Sequence, residues 1–198
     1  MLLANALEGR RIVLGSASPR RRELLAGLGL EFTVEATPGT PETYSPDLKP
    51  EEVPLALAVS KSENFHRPLA PEEILITADT VVICGNDILG KPAGREDAAR
   101  MLRRLSGRSH SVVTGVCLRD TVHRQAFSCT SEVEFKPLTD EEIYYYIDRY
   151  KPFDKAGGYG IQEWIGHIGI TSIRGSYFNI VGLPVQRLYT ALAGFIGL

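Results

Sequence analysis

The chain has 198 residues, of which 43% are hydrophobic and 23% are charged, and its formal net charge is -2. A chain of this length and composition can bury one sizeable hydrophobic core, as expected for a soluble globular protein. The small net charge excludes a surface that is basic as a whole, so no nucleic acid polymer is expected as a partner.

Cysteine content and hydrophobic runs favour a cytoplasmic location. The three cysteines, Cys84, Cys117 and Cys129, have no C-x-x-C spacing, which predicts free thiols and neither a disulfide framework nor a cysteine zinc site. No segment approaches the roughly 18 apolar residues of a membrane span, and the N-terminal residues have the wrong order for a secretory signal. We therefore expect a cytoplasmic protein with no membrane partner.

The first part of the chain alternates between strand and helix patterns. Apolar and β-branched runs predict strands over residues 12–14, 31–35 and 74–84. Leucines at helical spacing predict a helix over residues 23–30, and Ser18 and Pro19 supply its N-cap and first turn. The proline-rich residues 37–50 predict an open loop, which is followed by a helix over residues 50–65.

The second part of the chain has the same mixture of patterns. Gly85-Asn86-Asp87 is a turn signal that leads into residues 88–92, which predicts a β-hairpin. Strand patterns occupy residues 111–118, residues 125–135 and a pair of segments within residues 167–181. Helical patterns occupy residues 95–105, residues 139–150 after a capping box of Thr139 and Glu142, and the residues after Pro184. The fold class is therefore α/β, with a mixed, partly antiparallel sheet flanked by helices.

The domain organisation is simple, because the chain has no internal repeat and no low-complexity segment. We predict one domain over residues 1–198. The central strand-turn-strand region also allows a second lobe, and two lobes would enclose a central cleft of the kind that binds ligands.

Three consecutive arginines, Arg20, Arg21 and Arg22, lie in the first turn of a predicted helix behind Ser16 and Ser18. A helix N-terminus already carries about half a positive charge, so cations there cost roughly 0.3–1 kcal/mol each unless an anion is present. Guanidinium groups, hydroxyls and free N–H groups together suit a phosphate. The alternative is that the arginines fan out into solvent, since three neighbouring side chains on a helix point in different directions.

An acid, Asp79, interrupts an apolar strand pattern at Ala78-Asp79-Thr80. A buried carboxylate costs several kcal/mol unless it is paired or bound to a metal. One interpretation is a structural aspartate paired with a lysine. The other is a metal ligand or a general base acting on water, and Mg²⁺ prefers such carboxylates alongside phosphate oxygens.

Several separated motifs together resemble those of the Maf family. These are S-A-S-P-R-R at residues 16–21, A-D-T at 78–80, G-K-P at 90–92, L-S-G-R-S-H at 105–110, D-K-A-G-G-Y-G-I-Q at 154–162 and G-S-Y-F-N-I-V-G-L-P at 175–184. They occur in the family order over nearly the whole chain. Six motifs in this order are a far more specific signal than any one of them.

The resemblance implies a pyrophosphatase that releases pyrophosphate from nucleoside triphosphates, needs Mg²⁺ or Mn²⁺, has a Maf/ITPase-like fold and is commonly a homodimer. By motif position, Asp79 is the catalytic base or the carboxylate that organises the metal, and Glu42 is a further acid near the metal. The residues implied to hold the phosphates are Ser18, Arg20, Arg21, Lys61 and Lys91. Those implied to select the nucleotide are Arg20, Thr80 and Gln162, and Gly160-Ile161-Gln162 resembles the dTTP/UTP branch.

Two positions depart from the family pattern. Glu163-Trp164-Ile165-Gly166 stands where a small glycine-rich turn is more usual, and Pro41 stands where the family often has another acid. Two other functions stay open at this point. One is a Maf pyrophosphatase for 7-methyl-GTP, against which Gln162 argues, and the other is a non-catalytic nucleotide-binding regulator of cell division.

Overall fold

The computed structural model describes residues 2–37 and 43–198. Within these residues, seven strands form one sheet in the order β2-β1-β3-β5-β6-β7, and β4 pairs with β3. The strands are β1 (Arg11–Leu14), β2 (Phe32–Val34), β3 (Glu73–Cys84), β4 (Asp87–Leu89), β5 (Ser109–Arg119), β6 (Arg124–Phe135) and β7 (Ile170–Arg174). The helices are α1 (Leu3–Ala6), α2 (Pro19–Ala26), α3 (Val53–Glu63), α4 (Arg95–Leu105), α5 (Asp140–Tyr150), α6 (Trp164–Gly169), α7 (Tyr177–Val181) and α8 (Val185–Phe195). Two short 3-10 helices cover Pro50–Glu52 and Ala156–Gly158.

The sheet is mixed, which confirms the predicted fold class. Strand β1 pairs in parallel with β2 and with β3, so that Ile12 lies opposite Phe32 on one side and Ile74 on the other. The hairpin predicted at Gly85-Asn86-Asp87 is also confirmed, because β4 pairs antiparallel with β3 and Val82 lies opposite Leu89. Strand β7 pairs antiparallel with β6.

The chain divides into two compact units, which are described separately. The first contains the described parts of Met1–Asp79 together with Thr114–Cys129 and Gly182–Leu198. Its main hydrophobic cluster contains buried residues of β1, α2, β3 and α8, among them Ile12, Leu25, Ile76 and Leu188. A smaller cluster joins Val13, Leu75 and Phe65. Since adjacent strand residues point to opposite faces, both faces of this part of β3 are covered, which explains its unbroken apolar run.

The second unit contains Thr80–Val113 and Thr130–Val181. Its core packs α4 and α5 with strand residues, and its buried members include Leu102, Val133 and Ile147. The capping box predicted at Thr139 is present: the Thr139 hydroxyl accepts from the Glu142 N–H at 3.2 Å, and the Glu142 carboxylate accepts from the Thr139 N–H at 2.9 Å. The helix therefore begins where the sequence predicts.

The strand pair predicted within residues 167–181 is wrong. This segment forms the end of α6, the single strand β7 and the short helix α7. The β-branched residues Ile168, Ile170 and Ile173 favour a strand, but helices of one or two turns depend on tertiary contacts and leave little periodicity in the sequence.

Across residues 2–37 and 43–198, none of the helices combines the length and the apolar character that crossing a membrane requires.

Candidate functional site

The loop between β1 and α2 is organised by two serines. Ser18 is the N-cap of α2, and its hydroxyl accepts from the Arg21 N–H at 3.4 Å. The Ser16 hydroxyl in turn accepts from the Ser18 N–H at 3.3 Å. Pro19 occupies the first helical position, where its missing N–H costs nothing. The sequence therefore fixes the start of α2 locally, as predicted.

Arg21 is held by the protein itself. Its Nε donates to the Gly182 carbonyl at 2.9 Å and its Nη1 lies 3.4 Å from the Ser16 hydroxyl. The neighbouring Arg22 is exposed, whereas Arg20 is half-buried. The three arginines thus point in different directions, as helix geometry requires. The contacts of Arg21 fix the loop before α2 to the chain just ahead of α8, a link that the sequence does not reveal.

Asp79 lies on the face of β3 that meets helix α3. Thr77, two residues earlier and therefore on the same face, donates its hydroxyl to the Ala58 carbonyl of α3 at 2.7 Å. Asp79 is only 7% exposed. Ala78, between them, points into the main hydrophobic cluster of the first unit. The acid in the apolar strand is therefore placed by ordinary strand alternation on the polar side of β3.

Lys61 of α3 forms an ion pair with Asp79 through a hydrogen bond from Nζ to Oδ1. The structure thus brings together two of the residues singled out from the sequence. It also supports the pairing interpretation of Asp79. That pairing does not conflict with a role in catalysis, because a lysine ammonium has three donors and can serve a carboxylate and phosphate oxygens together.

Helix α3 is anchored beside Lys61. Arg119 of β5 donates from Nε to the Ser62 hydroxyl at 2.9 Å and from Nη2 to the Ser62 carbonyl at 2.6 Å. This cation satisfies a carbonyl in the last turn of α3, where the helix dipole is negative. Gly115 of β5 also lies against α3, since a Cβ there would come within 2.4 Å of the Pro54 carbonyl oxygen. These contacts fix the helix that carries Lys61.

The other predicted site residues within the described part of the chain lie in separate segments. Thr80 follows Asp79 on β3 and is half-buried, Lys91 is exposed just after β4, and Gln162 is exposed in a turn before α6. Glu42 lies outside the described residues. The roles that the family resemblance implies for these four residues stay predictions.

The side chains of Tyr146, Lys155 and Glu163 form a polar cluster beside that turn, and the sequence did not reveal that they meet. Glu163 accepts a hydrogen bond from the Tyr146 hydroxyl and its Oε1 lies 3.1 Å from Lys155 Nζ. Tyr146 is fully buried and Lys155 is 9% exposed. Burial, reinforced by the Glu163 carboxylate, raises the pKa of Tyr146 well above its ordinary value, so its hydroxyl remains a donor. The sequence signals were Lys155 within the motif at residues 154–162 and Glu163 as a departure from the family pattern, and neither indicated this contact.

His110, in the L-S-G-R-S-H motif, is a buried histidine of the same unit. Its Nε2 lies 2.7 Å from the Tyr159 hydroxyl, and its ring stacks on Phe135 with a centroid distance of 5.6 Å. Burial lowers the pKa of His110 to about 4. The imidazole is therefore neutral at physiological pH and acts as a packed core residue.

Of the two predicted metal ligands, Asp79 lies within the described residues and Glu42 does not. Among residues 2–37 and 43–198, no group of three or more His, Cys, Asp or Glu residues is placed to hold a metal ion. Mg²⁺ in nucleotide enzymes is held by one or two carboxylates together with substrate phosphates and water, so it needs no such group. The Asp79 carboxylate has the hard oxygen donors for this mode of binding.

Comparison with known proteins decides the family. The sequence model described as "Maf-like protein" matches residues 11–195. The chain belongs to the Maf family. It is similar to the dTTP/UTP pyrophosphatase of Porphyromonas gingivalis, 55% identical over 191 residues that cover 96% of each chain. Another similar protein is the dTTP/UTP pyrophosphatase of Phocaeicola vulgatus, 54% identical over 186 residues that cover 94% of this chain and 96% of the relative.

Among solved structures, this Maf chain is similar to a HAM1 protein from Coxiella burnetii, with a TM-score of 0.48 and 16% sequence identity. The similarity covers 93% of this chain and 99% of the other.

Proposed function

We propose that this Maf protein is a nucleoside triphosphate pyrophosphatase that hydrolyses dTTP and UTP to the monophosphate and pyrophosphate. It would act in the cytoplasm and limit the incorporation of unwanted nucleotides. One observation carries the proposal: in a chain of this family, the acid of the buried strand β3 is paired with a lysine of the anchored helix α3. The relatives named dTTP/UTP pyrophosphatase support the choice of nucleotides.

Asp79 accepts a proton from the attacking water in this proposal. The water oxygen forms a bond to phosphorus, the phosphoanhydride bond between the α- and β-phosphates breaks, and pyrophosphate leaves with the electron pair. Lys61 orients the Asp79 carboxylate before the substrate arrives. In the complex it also donates to phosphate oxygens, where negative charge builds up as the bond breaks.

The start of α2 and Lys91 bind the remaining phosphate oxygens. Ser18 offers a neutral hydroxyl donor, and Arg20 adds a guanidinium. Arg21 holds the loop through Ser16 and Gly182, and in this proposal its guanidinium also contributes positive charge toward the phosphates. Arg20, Thr80 and Gln162 select the base.

A divalent cation, Mg²⁺ or Mn²⁺, held by Asp79 and Glu42 would neutralise part of the triphosphate charge when it is bound.

The test is release of pyrophosphate and monophosphate from dTTP, UTP, CTP, dITP and 7-methyl-GTP with Mg²⁺ or Mn²⁺. Asp79→Asn keeps the size of the side chain and removes the base, so turnover should fall by about 10²–10⁴-fold. Asp148→Asn is the matched control, because Asp148 is an exposed acid of α5 paired with Arg95. Its turnover should equal that of the unmodified protein.

Selective hydrolysis of dTTP and UTP that disappears in Asp79→Asn supports the proposal. An Asp79→Asn protein with full activity contradicts the role of Asp79. Preferential hydrolysis of 7-methyl-GTP contradicts the choice of nucleotide. Nucleotide binding without hydrolysis of any substrate contradicts the enzymatic function and points to a binding regulator.

A further inference from the structure

The turn that carries Gln162 is closed by its own backbone. The Glu163 N–H donates to the Gly160 carbonyl at 3.0 Å, which makes Gly160 and Glu163 the two ends of a tight turn. Glu163 is also the N-cap residue of α6, and its carbonyl accepts from the Gly166 N–H at 2.9 Å. Gln162 therefore lies between a closed turn and the first turn of a helix.

The polar cluster of Tyr146, Lys155 and Glu163 holds both ends of this turn. The Tyr146 hydroxyl accepts from the Gly160 N–H at 3.0 Å and donates to the Glu163 carboxylate. Lys155 is 3.1 Å from the other Glu163 oxygen. One hydroxyl thus joins the first residue of the turn to the last, and helix α5 supplies it.

The packing around Gly160 leaves little freedom to this arrangement. A Cβ at Gly160 would lie 2.9 Å from the Glu163 Cδ and 3.1 Å from the Lys155 Cε. Only a glycine lets the cluster approach the backbone this closely. At the preceding turn, the Gly157 N–H donates to the Gly90 carbonyl at 3.0 Å, so the segment is also fixed upstream.

A buried cluster of charged side chains contributes little net stability by itself. Burying a lysine and a carboxylate requires desolvation that an ion pair repays only with good geometry, and an apolar packing of the same volume is often at least as stable. Fully satisfied buried networks instead favour one conformation over others. Here the conformation that is favoured is that of the turn presenting Gln162.

We propose that Tyr146, Lys155 and Glu163 are positioning residues for base selection: they fix the turn so that the exposed Gln162 carboxamide meets the edge of the pyrimidine. The base-selection part of this inference rests on the proposed function, whereas the fixing of the turn does not.

The experiment compares Tyr146→Phe with Tyr144→Phe. The first change removes the hydroxyl that joins Gly160 to Glu163. The second removes a hydroxyl from the same helix, where it contacts Glu96 at 3.0 Å and Arg103 at 3.2 Å on the surface. Glu163→Gln is a second, milder variant that keeps an acceptor for Tyr146 and removes one of the two carboxylate charges near Lys155, the other being that of Asp154 at 2.8 Å. Gln162→Ala shows the loss expected when the carboxamide itself is removed.

The measured quantity is the ratio of kcat/KM for UTP to kcat/KM for CTP. Loss of one positioned hydrogen bond should lower this ratio by about five- to ten-fold in Tyr146→Phe, mainly through KM for UTP, and by less in Glu163→Gln. Tyr144→Phe should leave the ratio unchanged. Amide hydrogen exchange over residues 160–163, measured without nucleotide, should become faster in Tyr146→Phe and stay unchanged in Tyr144→Phe.

Two kinetic results overturn the base-selection part of the inference. One is a UTP/CTP ratio that falls in Gln162→Ala but is unchanged in Tyr146→Phe and Glu163→Gln. The other is a uniform loss of activity on both nucleotides, which is the mark of a structural role alone. If the unmodified protein hydrolyses none of the nucleotides, the proposed function fails and base selection fails with it. Unchanged amide exchange over residues 160–163 in Tyr146→Phe is sufficient to contradict the claim that the cluster fixes the turn.

Discussion

Asp79 of β3 and Lys61 of α3 form an ion pair although 18 positions of the chain separate them. Thr77 and Ala58 make a second contact between the same two elements, so the pair is part of a helix–strand contact that is polar on this side. The side chains of Lys61 and Asp79 are 20% and 10% exposed. Most of the pair is thus removed from water, so each of the two charges depends on the other for its stabilisation.

Removing the charge of Lys61 should destabilise the protein and inactivate it. In Lys61→Met the side chain keeps its apolar stem, but the Asp79 carboxylate stays buried without its ion-pair partner, at a cost of about 3 kcal/mol. The free energy of unfolding from urea denaturation measures this cost. In the double variant with Asp79→Asn, most of the lost stability should return, because no buried charge is left. Equal stability losses for the single and double variants would contradict this account.

Gly115→Ala should be strongly destabilising. The new Cβ would lie 2.4 Å from the Pro54 carbonyl oxygen and 2.5 Å from the Leu55 backbone, and backbone atoms cannot move aside without shifting α3. We expect a loss of about 3 kcal/mol or more in unfolding free energy. Gly194→Ala is the control: in α8, with no atom within 4 Å of the new Cβ, it should gain about 0.5 kcal/mol. A Gly115→Ala protein as stable as the control would rule out the close approach.

Glu73 should make the protein sensitive to acid below pH 4.5. Hydrogen bonds from Arg67, at 2.7 Å, lower the pKa of Glu73 from 4.5 to about 2, and the Ala70 N–H and Arg11 add to this. A carboxyl whose folded pKa is lowered stabilises the fold above its unfolded pKa and loses that effect as pH falls toward the folded value. The shift corresponds to roughly 3 kcal/mol.

The unfolding free energies of the unmodified protein and Glu73→Gln, measured from pH 6 to pH 2, should therefore converge as pH falls from about 4.5 to about 2. Glu72→Gln is the control, because Glu72 is a partly exposed neighbour that contacts Arg11 at 3.2 Å. A constant difference between the unmodified protein and Glu73→Gln at all pH values would contradict the lowered pKa.

His110 should make the stability of the protein depend on pH in a higher range than Glu73 does. Burial lowers its pKa from 6.5 to about 4, so between these values the unfolded chain binds a proton that the folded protein does not. Stability should therefore fall as pH falls from 6.5 to 4, by roughly 3 kcal/mol in all. His110→Gln removes the titrating group, and its stability should be flatter over this range even if it is lower at pH 7. His123→Gln, at an exposed turn, should retain the full slope. If His110→Gln also retains it, the slope has another origin.

The sequence predicts much of the fold where the signal is local. Ser18 with Pro19 and Thr139 with Glu142 mark helix starts that the structure confirms, because a cap and its target lie within three residues. The apolar run of β3 is confirmed for a similar reason, since burial on both faces leaves a continuous pattern. Residues 167–181 show the limit, because their short helices depend on contacts with other elements.

In the candidate site, too, the sequence does not predict contacts between residues that are distant along the chain. The family resemblance implied a phosphate role for Arg21, but the sequence could not reveal that its Nε donates to the Gly182 carbonyl 161 positions away. The acid at Asp79 was visible as an anomaly in an apolar strand, whereas its partner Lys61 had no local mark. The sequence marked Glu163 only as a departure from the family pattern and did not mark Tyr146, because only the fold brings the two side chains to Gly160.

The anchoring of α3 on both sides of Lys61 places the lysine through contacts that it does not make itself. Ala58 is held by Thr77 and Ser62 by Arg119, so the backbone that carries Lys61 is tied to β3 and to β5. A shift of the Lys61 ammonium relative to Asp79 therefore has to come mainly from the torsions of its own side chain. A substitution at Thr77 or Arg119 would act on the ion pair from a distance, by releasing the helix that carries one of its members.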